Sequence, residues 1–148
     1  MIVKVYFDGA CENTGTGSNP MGMGIVAFDK DGNVLVEKAE TTEKLGTSNM
    51  AEWGAFVHAL NVCLELRQQY KDAKFYIYGD SQLIVNQANN VWQVKQPHLI
   101  PYKELADTLI NELTGALVSI SWVRRHNNQY ADDLSKEGIE KWKKLTKS

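Results

Sequence analysis

Apolar residues recur along this chain with two different periods, and the changes of period mark its elements. Ile2 to Phe7 is rich in β-branched and aromatic residues and predicts a strand ending at Asp8. Gly9 to Met21, crowded with Gly, Asn and Thr, predicts a loop. Gly22 to Phe28 predicts a second strand, and the Asp31-Gly32 turn signal returns the chain into a third, Val34 to Ala39. The period then lengthens. From Met50 to about Gln69, apolar residues at Trp53, Phe56, Val57, Leu60 and Leu64 stand three or four apart, the spacing of one buried helical stripe. Thr47, Ser48 and Asn49 precede it as N-cap candidates. Lys74 to Tyr78 predicts a fourth strand, closed by Gly79-Asp80. Two helices follow, Ser81 to about Asn89 and Pro101 to Leu113, the second with proline in its first turn. Leu117 to Val123 predicts a fifth strand and Arg124 to Gln129 a polar loop. A last helix runs from about Tyr130 to Leu145, with Leu134, Ile139, Trp142 and Leu145 facing inward.

The order βββ-α-β-α-α-β-α predicts an α/β fold with a five-stranded mixed sheet. Three antiparallel strands come first, then parallel strands joined by helical crossovers, with helices on both faces. No repeat, linker or low-complexity tract divides the 148 residues, so a single domain over 1–148 is expected. The composition, 43% hydrophobic and 23% charged, excludes disordered, collagen-like and coiled-coil chains. No apolar run approaches the ~18 residues of a membrane span, the N-terminus lacks a signal peptide's long apolar stretch and small-residue cleavage site, and with the first strand starting at Ile2 no preceding binding module is expected. Cys11 and Cys63 show no metal-binding spacing and suit a reducing compartment. A cytoplasmic monomer with no membrane partner is expected.

Candidate chemistry lies in the acids. Asp8 and Asp80 each follow an apolar strand directly, Glu52 lies early in the longest helix, and Asp132 opens the last one. Taken singly, each is an ordinary turn or cap residue. Jointly they fit an α/β sheet in which strands one and four are parallel neighbours, because ligand groups gather beyond the carboxyl ends of such strands. Four clustered carboxylates repel one another, and some stay protonated unless a hard divalent cation intervenes. Two such cations can activate water and stabilise the leaving oxygen of a phosphodiester. The net charge of −2 argues against a protein that holds nucleic acid by bulk charge. A local basic bias remains at Arg124, Arg125, Lys136, Lys141, Lys143, Lys144 and Lys147.

Five segments together resemble type 1 ribonucleases H across essentially the whole chain. They are Phe7-Asp8-Gly9-Ala10-Cys11, Thr47 to Glu52, Gly79-Asp80-Ser81-Gln82, Trp122 to His126, and Asn128 to Ser135. The resemblance implies a ribonuclease H-like fold and cleavage of the RNA strand of an RNA–DNA hybrid, leaving 5′-phosphate and 3′-hydroxyl ends. It implies two Mg²⁺ (or Mn²⁺) ions held by Asp8, Glu52, Asp80 and Asp132, the family's Ala-Asp-x-Leu pattern selecting Asp132 over Asp133. His126 matches a loop histidine that assists water activation or product release. Substrate contacts are implied for Gly9, Thr47, Ser48, Asn49 and Gln82, and for either Asn13 or Asn19 in the first loop. The segment Asn89 to Pro101 departs from the family's basic protrusion, carrying Lys95, His98 and Trp92. Two other readings compete: another metal-dependent nuclease of the same fold, resolvase-like or exonuclease-like, and a non-catalytic nucleic-acid-binding module. An exonuclease would want Asp-x-Glu on the first strand, where this chain has Asp8-Gly9-Ala10. A pure binding module has no use for four acids near phosphates.

Overall fold

Strand β1 (Ile2–Cys11) is the centre of the sheet, and its sequence shows why. Val3, Val5 and Phe7 are fully buried on one face, and the alternating Lys4, Tyr6 and Asp8 point to the other. In the computed structural model, which describes residues 1–15 and 19–146, β1 is flanked by β2 (Met21–Asp29) and β4 (Lys74–Gly79). With β3 (Val34–Thr41) and β5 (Leu117–Trp122) the sheet order is β3-β2-β1-β4-β5. The β1–β2 and β2–β3 pairs are antiparallel, and β1–β4 and β4–β5 are parallel, as the element order predicts.

Helices cover both faces. α1 (Ser48–Gln69) packs on β1 and β2, with α3 (Ile100–Glu112) against it. The core between them includes Phe7, Ile25, Trp53, Phe56, Leu60, Phe75 and Ile77, all fully buried. At about 25 cal/mol per Å² of apolar surface, each such aliphatic or aromatic side chain contributes roughly 1.5–3 kcal/mol. α2 (Gln82–Ala88) follows β4, and its Gln87 side-chain Oε1 accepts from the Trp53 indole at 3.1 Å, which satisfies that buried N–H. α4 (Gln129–Thr146) packs alone on the opposite face, against β1, β2 and β3. It comes close because β2 offers no side chain there: a Cβ on Gly24 would lie 2.1 Å from the Ala131 carbonyl oxygen. No helix among the described residues is long and apolar enough to cross a membrane.

Several expectations change. β1 runs on through Asp8 to Cys11, because β2 continues to pair with it as far as Met21. Asp8 is therefore inside a strand on its β2 side and beyond the last pair on its β4 side. The polar loop after β5 contains a 3₁₀ turn, Arg125–Asn127, and another, Pro97–Leu99, precedes α3. Leu145, expected inward, is 75% exposed, one residue from the end of α4. Lys147 lies outside the described residues.

Candidate active site

The register of the two central parallel strands places the first two acids. Phe7 pairs with Gly79 as the last β1–β4 rung, so Asp8 and Asp80 leave adjacent strand ends side by side. Gly9 brings in the third. A Cβ there would sit 2.2 Å from the Ala51 carbonyl carbon and 2.3 Å from the Glu52 nitrogen, so only glycine lets α1 cross the strand this closely. Thr47 caps that helix, its hydroxyl accepting from the Met50 amide at 3.2 Å, and this fixes where its first turns lie. The result is a cluster in which Asp8, Glu52 and Asp80 each offer one carboxylate oxygen, all within 4.8 Å of one another.

Asp132 joins from α4 but stands at the rim. Its carboxyl interacts with that of Asp8, and Lys136 one turn on approaches it at 3.1 Å. Asp133 faces solvent instead and accepts from the Gln129 amide at 2.8 Å.

Electrostatics mark the cluster as unsatisfied. Burial, then the charges of Glu52 and Asp80, push the Asp8 carboxyl far above the usual carboxylate range. Burial also raises Glu52, against the opposing pull of Asp8, the Gly9 amide and Arg125. Burial acts on Asp132 in the same direction, but the Asp8 hydrogen bond, Lys136 and Arg125 outweigh it and hold that group below its ordinary value. Glu52 Oε2 is buried with no hydrogen-bond partner. Buried, mutually repelling carboxylate oxygens with a free lone pair are the donor set a hard divalent cation takes.

The other candidate residues surround this cluster at varying distance. Thr47 and Ser48 are exposed at the start of α1 and Asn49 half-buried, one turn before Glu52. Gln82 is exposed at the start of α2, two residues after Asp80. Asn13 faces solvent and accepts from the Gly15 amide at 3.0 Å. Asn19 is half-buried, its carbonyl accepting from Gly46 at 3.1 Å and its Oδ1 buried without a partner. His126 is exposed on the 3₁₀ turn, lining a cleft of about 390 Å³ with Lys4, Tyr6, Phe28 and Tyr130. It is not among the clustered carboxylates. Trp92 is 46% exposed between α2 and α3. The basic bias of α4 is largely spent inside the molecule: Lys136 on Asp132, Lys141 on the Ala39 carbonyl at 2.6 Å, and Lys143 on Glu12 at 3.0 Å.

Two residues at the site carried no role in the sequence reading. Trp122 donates from its indole to the Asp80 carbonyl at 3.1 Å. Asn128, only 1% exposed, donates its amide to the Phe7 carbonyl at 2.9 Å and to Asp80 Oδ2 at 3.3 Å. The only sequence signal for Asn128 was its place four residues before Asp132 in a matched segment.

The strand order, the single helix on the far face and the acids at the ends of β1 and β4 define a ribonuclease H-like protein. The chain belongs to the reverse-transcriptase-like family, whose model matches residues 6–138. Ribonuclease HI of Halobacterium salinarum is 30% identical over 138 residues, 93% of this chain and 64% of that protein, so the chain spans under two thirds of this curated relative. The crystal structure of RNase H1 from the same archaeon is similar at 31% identity with a TM-score of 0.78, covering 95% of this chain and 99% of that one. LC11-RNase H1, isolated from compost and crystallised with an RNA/DNA hybrid, is similar at 29% identity with a TM-score of 0.82, covering 94% and 97%.

Proposed function

We propose that this chain is an endoribonuclease that hydrolyses the RNA strand of RNA–DNA hybrids, leaving 5′-phosphate and 3′-hydroxyl ends. The observation that carries the reading is the convergence of Asp8, Glu52 and Asp80 within 4.8 Å at the ends of parallel strands, in a chain of this family. The hybrid bound to the similar compost enzyme supports the substrate.

Asp8, Glu52, Asp80 and Asp132 would hold two Mg²⁺ or Mn²⁺ ions. Bound there, the ions would supply an ionised water at neutral pH and neutralise charge on the leaving oxygen. The protein's own part is to deliver the carboxylates deprotonated and aimed. Asp8 and Glu52, both pushed toward the protonated form by burial, would hold the ions as carboxylates, and Asp132 would exchange its contact with Lys136 for the site. His126, on its exposed turn, is a proton carrier at the imidazole for water activation or product release. Hydroxyls and backbone amides at Thr47, Ser48 and Asn49 suit a phosphate at the start of a helix. Gly9, Gln82 and one of Asn13 and Asn19 complete the contacts, with Gln82 toward the minor groove where 2′-hydroxyls distinguish RNA from DNA. All four acids come from one chain, so a monomeric, single-domain enzyme suffices, and nothing in the mechanism calls for a compartment other than the cytoplasm.

The test is cleavage of a labelled hybrid with Mg²⁺ or Mn²⁺, with and without chelator, beside single-stranded RNA and duplex DNA. Hybrid alone is expected to be cut, and only with metal. Equal cutting of all three substrates overturns the substrate assignment, and chelator-resistant cutting overturns the metal. His126→Ala is expected to slow turnover by about 10²-fold, the low end for acid–base assistance, because the imidazole stands outside the carboxylate cluster. An unchanged rate at neutral pH removes His126 from the mechanism.

A further inference from the structure

Asn128 stands where a helix start normally puts a capping residue, yet its side chain does not cap. An asparagine there usually turns its carbonyl oxygen toward the first free amides of the helix. Here Oδ1 is buried and has no hydrogen-bond partner, while the amide nitrogen turns away from α4 toward the sheet. Both of its contacts, the Phe7 carbonyl and Asp80 Oδ2, are acceptors, which fixes the orientation of the amide. Leaving a buried carbonyl unsatisfied is costly, so the arrangement gives up stability at this position. What it achieves is a bridge. Phe7 immediately precedes Asp8, and the Asn128 carbonyl accepts from the Asp132 amide at 3.0 Å. One residue thus touches the three segments that carry Asp8, Asp80 and Asp132.

We propose that Asn128 is a positioning residue, aiming the Asp80 carboxylate and locking the ends of β1 and β4 to the start of α4. This rests on the metal-dependent reading above. A neutral donor suits the task, because it orients one carboxylate oxygen while leaving the full charge for a cation, whereas a lysine or arginine would compete with the ion. The Trp122 indole, bonded to the Asp80 carbonyl, pins the backbone of the same residue. Groups that orient metal ligands in this way typically change metal affinity or activity by about 10–100-fold when removed.

The experiment is calorimetric titration of Asn128→Ala and Asn128→Ser with Mn²⁺ alone, beside thermal melts and hybrid kinetics. For Asn128→Ala, Mn²⁺ affinity and kcat are each expected to fall about 10–100-fold, with KM for the hybrid within about twofold of wild type. Asn128→Ser, which keeps one O–H donor, is expected between the two. A wild-type Mn²⁺ isotherm in either folded variant overturns the proposal, even if its melting temperature falls. If neither variant folds while the wild type does, Asn128 is a structural brace and the proposal also fails. A wild-type protein that binds Mn²⁺ but leaves hybrid uncut sinks the nuclease reading instead.

Discussion

Asp80→Asn, and equally Asp8→Asn, is expected to cut the hybrid-cleavage rate by about 10³-fold or more, an effect of at least ~4 kcal/mol on the transition state. The substitutions keep shape and remove charge. Asp8 is the hub of the cluster, in contact with Glu52, Asp80 and Asp132, and Asp80 is held by Asn128 and Trp122. On the proposed mechanism, losing either charge would leave the remaining acids unable to retain a cation at the strand ends. Circular dichroism and melting curves should show a folded protein, since neither carboxylate supports the core. Rates within tenfold of wild type at saturating metal would remove these residues from the chemistry.

The same substitution should have the opposite effect on stability. In the metal-free protein, Asp8 and Glu52 both titrate above their ordinary values of 3.8 and 4.5, through burial first and then through neighbouring charge, Glu52 and Asp80 acting on Asp8 and Asp80 acting on Glu52. Between those values and the raised folded ones, the native state binds more protons than the unfolded chain. Stability contributed by this pair is therefore full below about pH 4 and lost as pH rises toward and past neutrality. Asp132, held low, acts the other way, and its contribution is lost only as pH falls below its ordinary 3.8. Asp8→Asn removes the hub of the repulsion. With chelator at pH 7–8, it is expected to be more stable than wild type by on the order of a few kcal/mol, because the wild type must bury the Asp8 carboxyl beside Glu52 and Asp80. The difference should shrink toward pH 4, and saturating Mg²⁺ should stabilise the wild type and reduce it again by mass action. Denaturant melts of both proteins across pH, with and without metal, measure this directly. A variant no more stable than wild type at neutral pH would show that the cluster is not strained.

Much of this was legible in one dimension. Strands and helices came from periodicity because burial on one face must repeat every second residue in a strand and about every fourth in a helix. The hub acids stood out because an acid directly after an apolar strand is an unusual place for a charge. What failed to show was whatever depended on a neighbour distant in sequence. β1 extends to Cys11 because β2 pairs with it there, and Gly9-Ala10-Cys11 alone carries no sign of that. Leu145 fits the inward stripe of its helix, but in the fold it is exposed at the end of α4. The lysines of α4 form a basic run on paper, and in the fold Lys136, Lys141 and Lys143 are engaged by Asp132, the Ala39 carbonyl and Glu12.

The α/β class, the element order and the acids able to act together follow from the chain alone, because hydrophobic period and residue type are local properties. Folding was needed to show that Asp8, Glu52 and Asp80 meet within 4.8 Å, that Asp132 waits at the rim on Lys136, and that Asn128 bridges the strand ends. Those facts depend on strand register and on backbones brought together over glycine, and both are settled only when distant segments pack.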